Sequence, residues 1–327
     1  MIARRGVCGV ALAAGWLACA APREPWVSEH GRGHPLTGRV REVATGRFLE
    51  PEALFDRLAR ADFVLLGERH DNPDHHRLQA RTLDALVARG RRPALAFEML
   101  AADDGPALAS ARASGTDAIR VAVRWDESGW PPWPLYAPLF EAALRADLPI
   151  VAANLARRDA AALRAHGPSR LEPSLRARLG LDTAAPAAEV QALAQQIHDA
   201  HCGRAPAAAL PRMVTVQRAW NAGLADALLA VRARGADGTV LVAGAEHVRR
   251  DFGVPAWLAR RAPQATVASV AFLEVEPEAP GCAAPSAEDA LPFDYVWYTP
   301  RVDLEDPCAK YREQLERMQR GGGAGPS

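Results

Sequence analysis

The sequence predicts an α/β protein: a largely parallel central sheet flanked by helices, with a mostly helical insertion or cap. One observation is that short apolar runs alternate with longer segments whose apolar residues recur at helical spacing. Another is that the motif Gly-x-x-His directly follows two of these runs, at 67–70 and at 244–247. Runs of this kind are typical of strands that are covered on both faces, so we expect a buried, parallel sheet.

The elements follow one another along the chain in a regular alternation. Asn72-Pro73 is a typical helix start, because proline is favoured at the first helical position. The segment from about 155 to 210 is rich in Ala, Arg and Gln and is predicted to be the helical insertion. The predicted strands are 63–66, 94–97, 149–154, 240–243, 266–275 and 295–298, and the main helices are 74–88, 213–234 and 255–261.

Composition divides the chain into segments. Residues 1–20 combine early arginines with a small-residue apolar stretch and predict a signal peptide, with Cys19 placed as in a lipoprotein signal. An ordinary cleavage site at Ala18-Cys19-Ala20 is the alternative. We therefore expect an exported protein, anchored in the periplasm or outer membrane through a lipid on Cys19, or else soluble in the periplasm. Residues 21–50 predict a tether and entry segment, 51–318 the main domain, and 319–327 a disordered tail.

Charge and cysteine content narrow the function classes. Lys plus Arg and Asp plus Glu both number 39, so no excess of basic residues indicates nucleic-acid binding. An exported compartment permits disulfides. Among Cys202, Cys282 and Cys308, we prefer the pair Cys282–Cys308 because it flanks a Pro-rich loop, and three unpaired thiols are the alternative. No Cys-x-x-Cys is present, which excludes a zinc ribbon and c-type haem attachment.

Four ionisable side chains are predicted to meet at one edge of the sheet. Glu68 and His70 follow the first apolar run, Glu98 ends the second, and His247 follows the fourth. In an open α/β sheet, ligands bind in the crevice outside the carboxyl ends of the strands. Two imidazoles and two carboxylates suit a divalent metal ion such as Zn, Mn, Fe or Co. The same four residues are the catalytic candidates if the protein is a hydrolase.

The alternative for these carboxylates is ordinary ion pairing. Arg69, Arg81 and Arg249 are close enough in the sequence or in the predicted fold to pair with them. In that case the histidines cap backbone groups. The clustering of four ionisable groups after buried strands favours a site.

An aromatic segment over 125–136 predicts the wall of an apolar slot. It holds three of the 8 tryptophans and one of the 4 tyrosines, and its prolines predict a stiff loop. Residues 65–76 and 243–255 resemble a haem-binding family, and haem requires an apolar slot, an axial donor such as Tyr or His, and basic groups for the propionates. Tyr136 is the candidate axial ligand, and Trp130 and Trp133 are candidate slot residues. The alternative is that these aromatics close the core over the sheet edge.

Further candidate haem contacts flank the two motifs. His75 and His76 begin the helix after the first motif, and at most one of them is expected to face the slot, since adjacent helical side chains point in different directions. Arg249 and Arg250 follow the second motif and are candidates for the propionates. Neighbouring carboxylates are their alternative partners.

Several of these motifs resemble one known family. Residues 65–76, with Gln79, resemble the ChaN-like haem-binding uptake family within the Tiki and erythromycin-esterase-like superfamily. Asn221 is a departure, because family members usually carry Asp there. The segments 128–131 with Tyr136, 149–155, 201–203 and 243–255 agree in the same order, so the resemblance covers most of residues 58–300.

The resemblance implies a membrane-attached protein of iron uptake that holds haem between the protomers of a homodimer. The first hypothesis is therefore an exported, lipid-anchored haem-binding protein that takes part in haem and iron uptake. The second is a metal-dependent esterase or protease that uses the Glu/His site, as the wider superfamily implies. The third is a scaffold with neither activity, to which Asn221 gives some weight.

Overall fold

The computed structural model describes residues 25–276 and 291–319. The predicted signal peptide, Cys282 and all but the first residue of the predicted tail lie outside these ranges. The described strands form one eight-stranded sheet with the order β2-β1-β8-β7-β3-β6-β4-β5. Their bounds are β1 (Val40–Glu42), β2 (Phe48–Leu49), β3 (Phe63–Glu68), β4 (Ala94–Ala101), β5 (Ile150–Asn154), β6 (Thr239–Gly244), β7 (Val267–Glu274) and β8 (Tyr295–Thr299).

The predicted parallel sheet is confirmed. Strands β3 to β8 pair in parallel, with β3 between β6 and β7. The register places Gly67 beside Ala243 and Glu68 beside Gly244, so both motifs leave the sheet at the same level. Among the described strand pairs, β1–β2 and β1–β8 are the antiparallel ones.

Helices cover both faces of the sheet. One core cluster joins the sheet to α1, α2 and α5, and a second joins it to α6, α9 and α10. The helical insertion predicted over 155–210 contains α6, α7 and α8. The helix bounds are α1 (Pro51–Leu58), α2 (Pro73–Ala88), α3 (Gly105–Ala111), α4 (Thr116–Ala122), α5 (Trp133–Arg145), α6 (Arg157–His166), α7 (Pro173–Arg178), α8 (Ala187–Ala200), α9 (Leu210–Ala233), α10 (Val254–Arg261), α11 (Pro307–Lys310) and α12 (Arg312–Gln319).

Helix α2 begins directly after the first motif. The Asn72 side chain accepts hydrogen bonds from the backbone N–H groups of Asp74 and His75, which satisfies donors that lack a partner inside the helix. The Asp74 carboxylate in turn accepts from the backbone of Val27 and Ser28. The first described residues of the chain are therefore fixed against the carboxyl edge of the sheet.

Two local predictions need correction. The 21–50 segment is not only a tether, since it contains β1 and β2. The aromatic segment is a loop only up to Pro132, because α5 begins at Trp133 and its early proline occupies the first turn, where no backbone N–H is needed. Among the described helices, none is long and apolar enough to cross a membrane.

The preferred disulfide, Cys282–Cys308, is wrong. Cys308 is bonded to Cys202, with their Cα atoms 5.8 Å apart and a sequence separation of 106. The alternative of three unpaired thiols is wrong for the same reason. The bond ties the C-terminal segment to the end of the helical insertion, a long-range pairing that cysteine spacing does not reveal.

Candidate functional site

The two Gly-x-x-His motifs interlock at the carboxyl ends of β3 and β6. A Cβ atom on Gly67 would lie 2.3 Å from the Val248 side chain and 2.9 Å from the Ala245 backbone. A Cβ atom on Gly244 would lie 3.1 Å from Nε2 of His70. Each glycine therefore leaves room for residues of the other motif.

Glu68 is the centre of the first half of the site. Its side chain is buried, and Oε1 accepts a hydrogen bond from the Tyr136 hydroxyl at 2.5 Å and lies 2.9 Å from Nδ1 of His70. Oε2 accepts from the Gln79 amide at 2.7 Å and lies 3.3 Å from Nδ1 of His76. Burial opposes ionisation, but the two histidines outweigh it and hold the pKa of Glu68 well below its usual range.

His70 is held on one side and open on the other. Nδ1 is bound to Glu68, and within the described part of the chain Nε2 makes no hydrogen bond. The side chain is 35% exposed, and its ring meets Trp130 edge-on with the centroids 5.0 Å apart. Burial favours the neutral ring, but the hydrogen bond to Glu68 and the charge of Glu98 outweigh it and raise the pKa of His70 to about 9.

Glu98 is the centre of the second half. The Gly244 backbone N–H donates to one of its oxygens at 2.7 Å, and Nε2 of His247 lies 3.1 Å from the other. The pairing of β4 with β5 is irregular between Phe97 and Ala101, which is where Glu98 leaves the ladder. Burial opposes ionisation here too, but His247 and His70 outweigh it and lower the pKa of Glu98 to about 2.

Helix α9 fixes His247 from its far side. Nδ1 of His247 lies 2.6 Å from Oδ1 of Asn221, whose amide nitrogen donates to the Phe252 carbonyl at 3.0 Å. The Gln217 amide lies 3.4 Å from both ring nitrogens. Our sequence analysis missed Gln217, although its position one helical turn before Asn221 puts both on one face of α9. The side-chain amide of Asn221 therefore occupies the position on α9 next to His247.

The structure brings the four predicted site residues together. Both histidines approach Glu98, and each carboxylate is paired with an imidazole. Within residues 25–276 and 291–319, however, no three His, Cys, Asp or Glu side chains are placed as ligands of one metal ion. Buried ion pairs cost desolvation energy that apolar packing does not, so their presence here is more readily explained by function than by stability.

The alternative of ordinary arginine pairing for these carboxylates is wrong. Arg69 pairs with Asp71, Glu274 and Asp303. Arg81 lies near Glu52, and Arg249 near Glu246 and Asp251. The ionisable partners of the two site carboxylates are therefore histidines rather than arginines. The Arg69 contacts, which our sequence analysis missed, also hold the C-terminal segment against the first motif.

Two predicted haem contacts in the aromatic segment are core residues. Tyr136 is fully buried, and burial together with Glu68 raises the pKa of its hydroxyl far above the usual value. Phenolate ligation is therefore disfavoured in this conformation. Trp133 is buried against Trp125 and Phe140. Trp130 differs, because it is only partly buried and contacts His70.

His75 and His76, which were also predicted as haem contacts, are not accessible to a ligand in this conformation, because both rings are fully buried. Nδ1 of His75 accepts from the Arg69 backbone and its Nε2 donates to Thr299, while burial lowers the pKa of His75 to about 3. Nε2 of His76 donates to the His70 carbonyl. Both rings therefore form hydrogen bonds with the backbone of the first motif.

The two arginines after the second motif are partly exposed. The Arg249 guanidinium binds Asp251 at 2.8 Å and stacks over the Phe252 ring. Arg250 binds Asp294 at 2.6 Å. Their predicted role with haem propionates stays a prediction, and it requires these carboxylates to give up part of their hydrogen bonding.

These features define a class of protein: an α/β fold with a histidine–carboxylate site at the carboxyl edge of a mostly parallel sheet. The family model described as haem-binding uptake, Tiki superfamily, ChaN matches residues 54–258. The chain belongs to this family, as the resemblance of its motifs indicated. No curated protein sequence matches it.

One similar solved structure shares the fold, and two others show lower structural similarity. A structure of ChaN from Campylobacter jejuni, described as showing cofacial haem binding, has a TM-score of 0.61 at 20% identity and covers 79% of this chain and 95% of that chain. The type III effector HopBA1 has a TM-score of 0.43 at 15% identity, covering 82% and 99%. An erythromycin esterase in its open conformation has 0.43 at 14% identity, covering 86% and 87%.

Proposed function

We propose that this chain binds haem at the carboxyl edge of its sheet, with Nε2 of His70 as the ligand of the iron. The observation that carries the proposal is the asymmetry of the His70 ring. Nδ1 is held by the buried carboxylate of Glu68, whereas Nε2 makes no hydrogen bond within the described residues and the side chain as a whole is partly exposed. Histidines that bind metals are typically oriented in this way by a carboxylate on their other nitrogen. Because the pKa of His70 is raised to about 9, binding of the iron at Nε2 displaces the proton that this nitrogen carries at neutral pH.

The surroundings of His70 fit the other requirements of a haem. The partly buried Trp130 ring beside it offers an apolar surface for the macrocycle. Arg249 and Arg250 supply cations near the second motif for the propionates. When bound, haem supplies the iron, and the residues of this chain hold and orient it. The buried Tyr136, Trp133, His75 and His76 are not part of the proposed contact surface.

The proposal extends to haem and iron uptake by an exported chain that is anchored through a lipid on Cys19. Its support is the charged, then apolar, N-terminal pattern that ends at Cys19 and the membership of the haem-binding uptake family. The homodimer implied by the resemblance is also part of the proposal. Sedimentation of the purified protein with and without haemin tests it, and a haem-bound monomer would contradict it.

Haemin titration of the purified chain tests the haem site. We expect a saturable Soret band for the wild type and loss of its histidine-ligand features in His70→Ala. His166→Ala is the matched control, because His166 is an exposed histidine on α6. Absence of saturable binding to the wild type would refute haem binding, whereas an unchanged spectrum in His70→Ala would refute only the assignment of the ligand.

The metal-dependent hydrolase stays a prediction rather than a proposal. Its four candidate residues lie together, but within the described part of the chain no three such side chains surround a common metal position. Metal analysis of protein purified without haem, followed by an esterase and peptidase screen, tests this prediction.

A further inference from the structure

Exposed apolar side chains lie on the terminal segments that border the candidate site. Most large hydrophobic residues of the described chain are buried or partly buried, but Val27, Leu304 and Tyr311 are 50%, 59% and 50% exposed. Two others, Val121 and Val190, are exposed on separate helices. Single exposed apolar residues need no explanation, whereas a group of them in one region marks a contact surface.

Contacts of Val27 itself, and of the residues that precede Leu304 and Tyr311, place these segments near the start of α2. The backbone N–H of Val27 donates to Asp74 in the first turn of that helix. Asp303, which precedes Leu304, binds Arg69 at 2.9 Å. Lys310, which precedes Tyr311, lies 3.3 Å from the same Asp303 carboxylate. We call the three side chains the apolar rim.

The chain also enters the structure at this place. The carbonyl of Pro25, the first described residue, accepts a hydrogen bond from Arg77 of α2 at 2.9 Å. The stretch from Cys19 to Pro25 spans at most about 20 Å when fully extended. A lipid on Cys19 would therefore hold the carboxyl edge of the sheet, rather than its amino edge, within a short distance of the bilayer.

We infer that a lipid bilayer covers the apolar rim, so that the haem site lies next to the membrane surface. This inference rests on the proposed anchoring at Cys19. Charged residues near the rim have both signs, including Lys310, Arg77, Asp71 and Glu305. Attraction to anionic lipid is therefore not the main force, and the acyl anchor with the rim side chains supplies the attachment. Haem, which is itself amphipathic, would reach His70 along the lipid surface.

Hydrogen exchange on the lipidated full-length protein tests this orientation. The protein is compared in detergent and in vesicles of phosphatidylethanolamine. We expect amide exchange in 25–30 and 302–311 to slow several-fold in vesicles, and exchange in 233–238, at the amino edge, to stay the same. Equal change at the two edges, or protection of the amino edge alone, would overturn the inference.

Matched variants distinguish a failure of this inference from a failure of the proposed anchoring at Cys19 or of the proposed haem binding. Leu304→Glu is expected to reduce the protection of 302–311, while Ala233→Glu, an exposed residue at the end of α9, leaves it unchanged. If amide protection of 302–311 persisted in Leu304→Glu, it would contradict contact between the apolar rim and the bilayer. Mass spectrometry showing no acyl group on Cys19 would overturn the anchoring and this inference together. Haemin binding measured in detergent is independent of both, and His70→Ala should keep the vesicle protection.

Discussion

The two Gly-x-x-His motifs deliver their histidines to the same edge of the sheet, but the two rings end in different environments. His70 is bound at one nitrogen by Glu68 and keeps the other open. His247 uses both nitrogens, one beside Asn221 and the other beside Glu98, and only 9% of its side chain is exposed. The same short sequence pattern therefore produces one ring that faces outward and one that is enclosed.

This difference separates two tasks that the sequence pattern alone treats as equal. Nε2 of His70 makes no hydrogen bond within the described residues and the ring has an aromatic neighbour, which suits binding. His247 contacts the buried carboxylate of Glu98 and links β4, β6 and α9, which suits a role in stabilising the fold. The predictions below test this division, beginning with the largest expected effect.

Replacing the carboxylate of the first motif should have the largest effect. Glu68→Ala leaves His70, His76, Gln79 and Tyr136 without their common acceptor, so we expect the free energy of unfolding to fall by about 3–5 kcal/mol. Glu68→Gln keeps the shape and should cost less. Urea unfolding measures both. A loss below about 1 kcal/mol in Glu68→Ala would show that this network does not support the fold.

The two motif glycines should differ when each is replaced by alanine. In Gly67→Ala the new methyl group meets the Val248 side chain and the Ala245 backbone, so we expect a loss of about 1–3 kcal/mol in unfolding free energy. In Gly244→Ala it meets the far end of the His70 ring, which can rotate away. We therefore expect a smaller loss of stability but weaker haemin binding. Equal stability losses with unchanged haemin binding would contradict this difference.

The sequence predicts the features that depend on residues close together in the chain better than those that depend on contacts between remote segments. The six longer strands were predicted because each is a continuous apolar run, while β1 and β2 were missed because they are three and two residues long and include Arg41. The gathering of Glu68, His70, Glu98 and His247 follows from parallel strands ending at one edge. The partner of Cys308 and the enclosure of Tyr136 depend on how remote segments pack, which no local pattern records.

Replacing His70 and His247 one at a time should separate haem binding from stabilisation of the fold. We expect His70→Ala to weaken haemin binding by on the order of tenfold or more, because even partners of metal ligands commonly contribute that much. We expect its effect on stability to be small, since the ring is partly exposed. His247→Ala should lower the unfolding temperature more, because Glu98 is left buried without its imidazole. Haemin titration and thermal unfolding of both variants measure the contrast, and a reversed order would refute it.

The smallest expected effect is a pH dependence of stability that arises from His70. In the folded chain its pKa is raised from 6.5 to about 9, so the stabilisation is complete below pH 6.5 and is lost as the pH rises through about 9. Because the ring is partly exposed, we expect a difference of only about 1 kcal/mol. Urea unfolding at several pH values should show this decrease in the wild type but not in His70→Gln. Histidine NMR should show the pKa of His70 falling towards 6.5 in Glu68→Gln, since the carboxylate that holds the proton is removed; an unchanged pKa there would mean that Glu68 is not its cause.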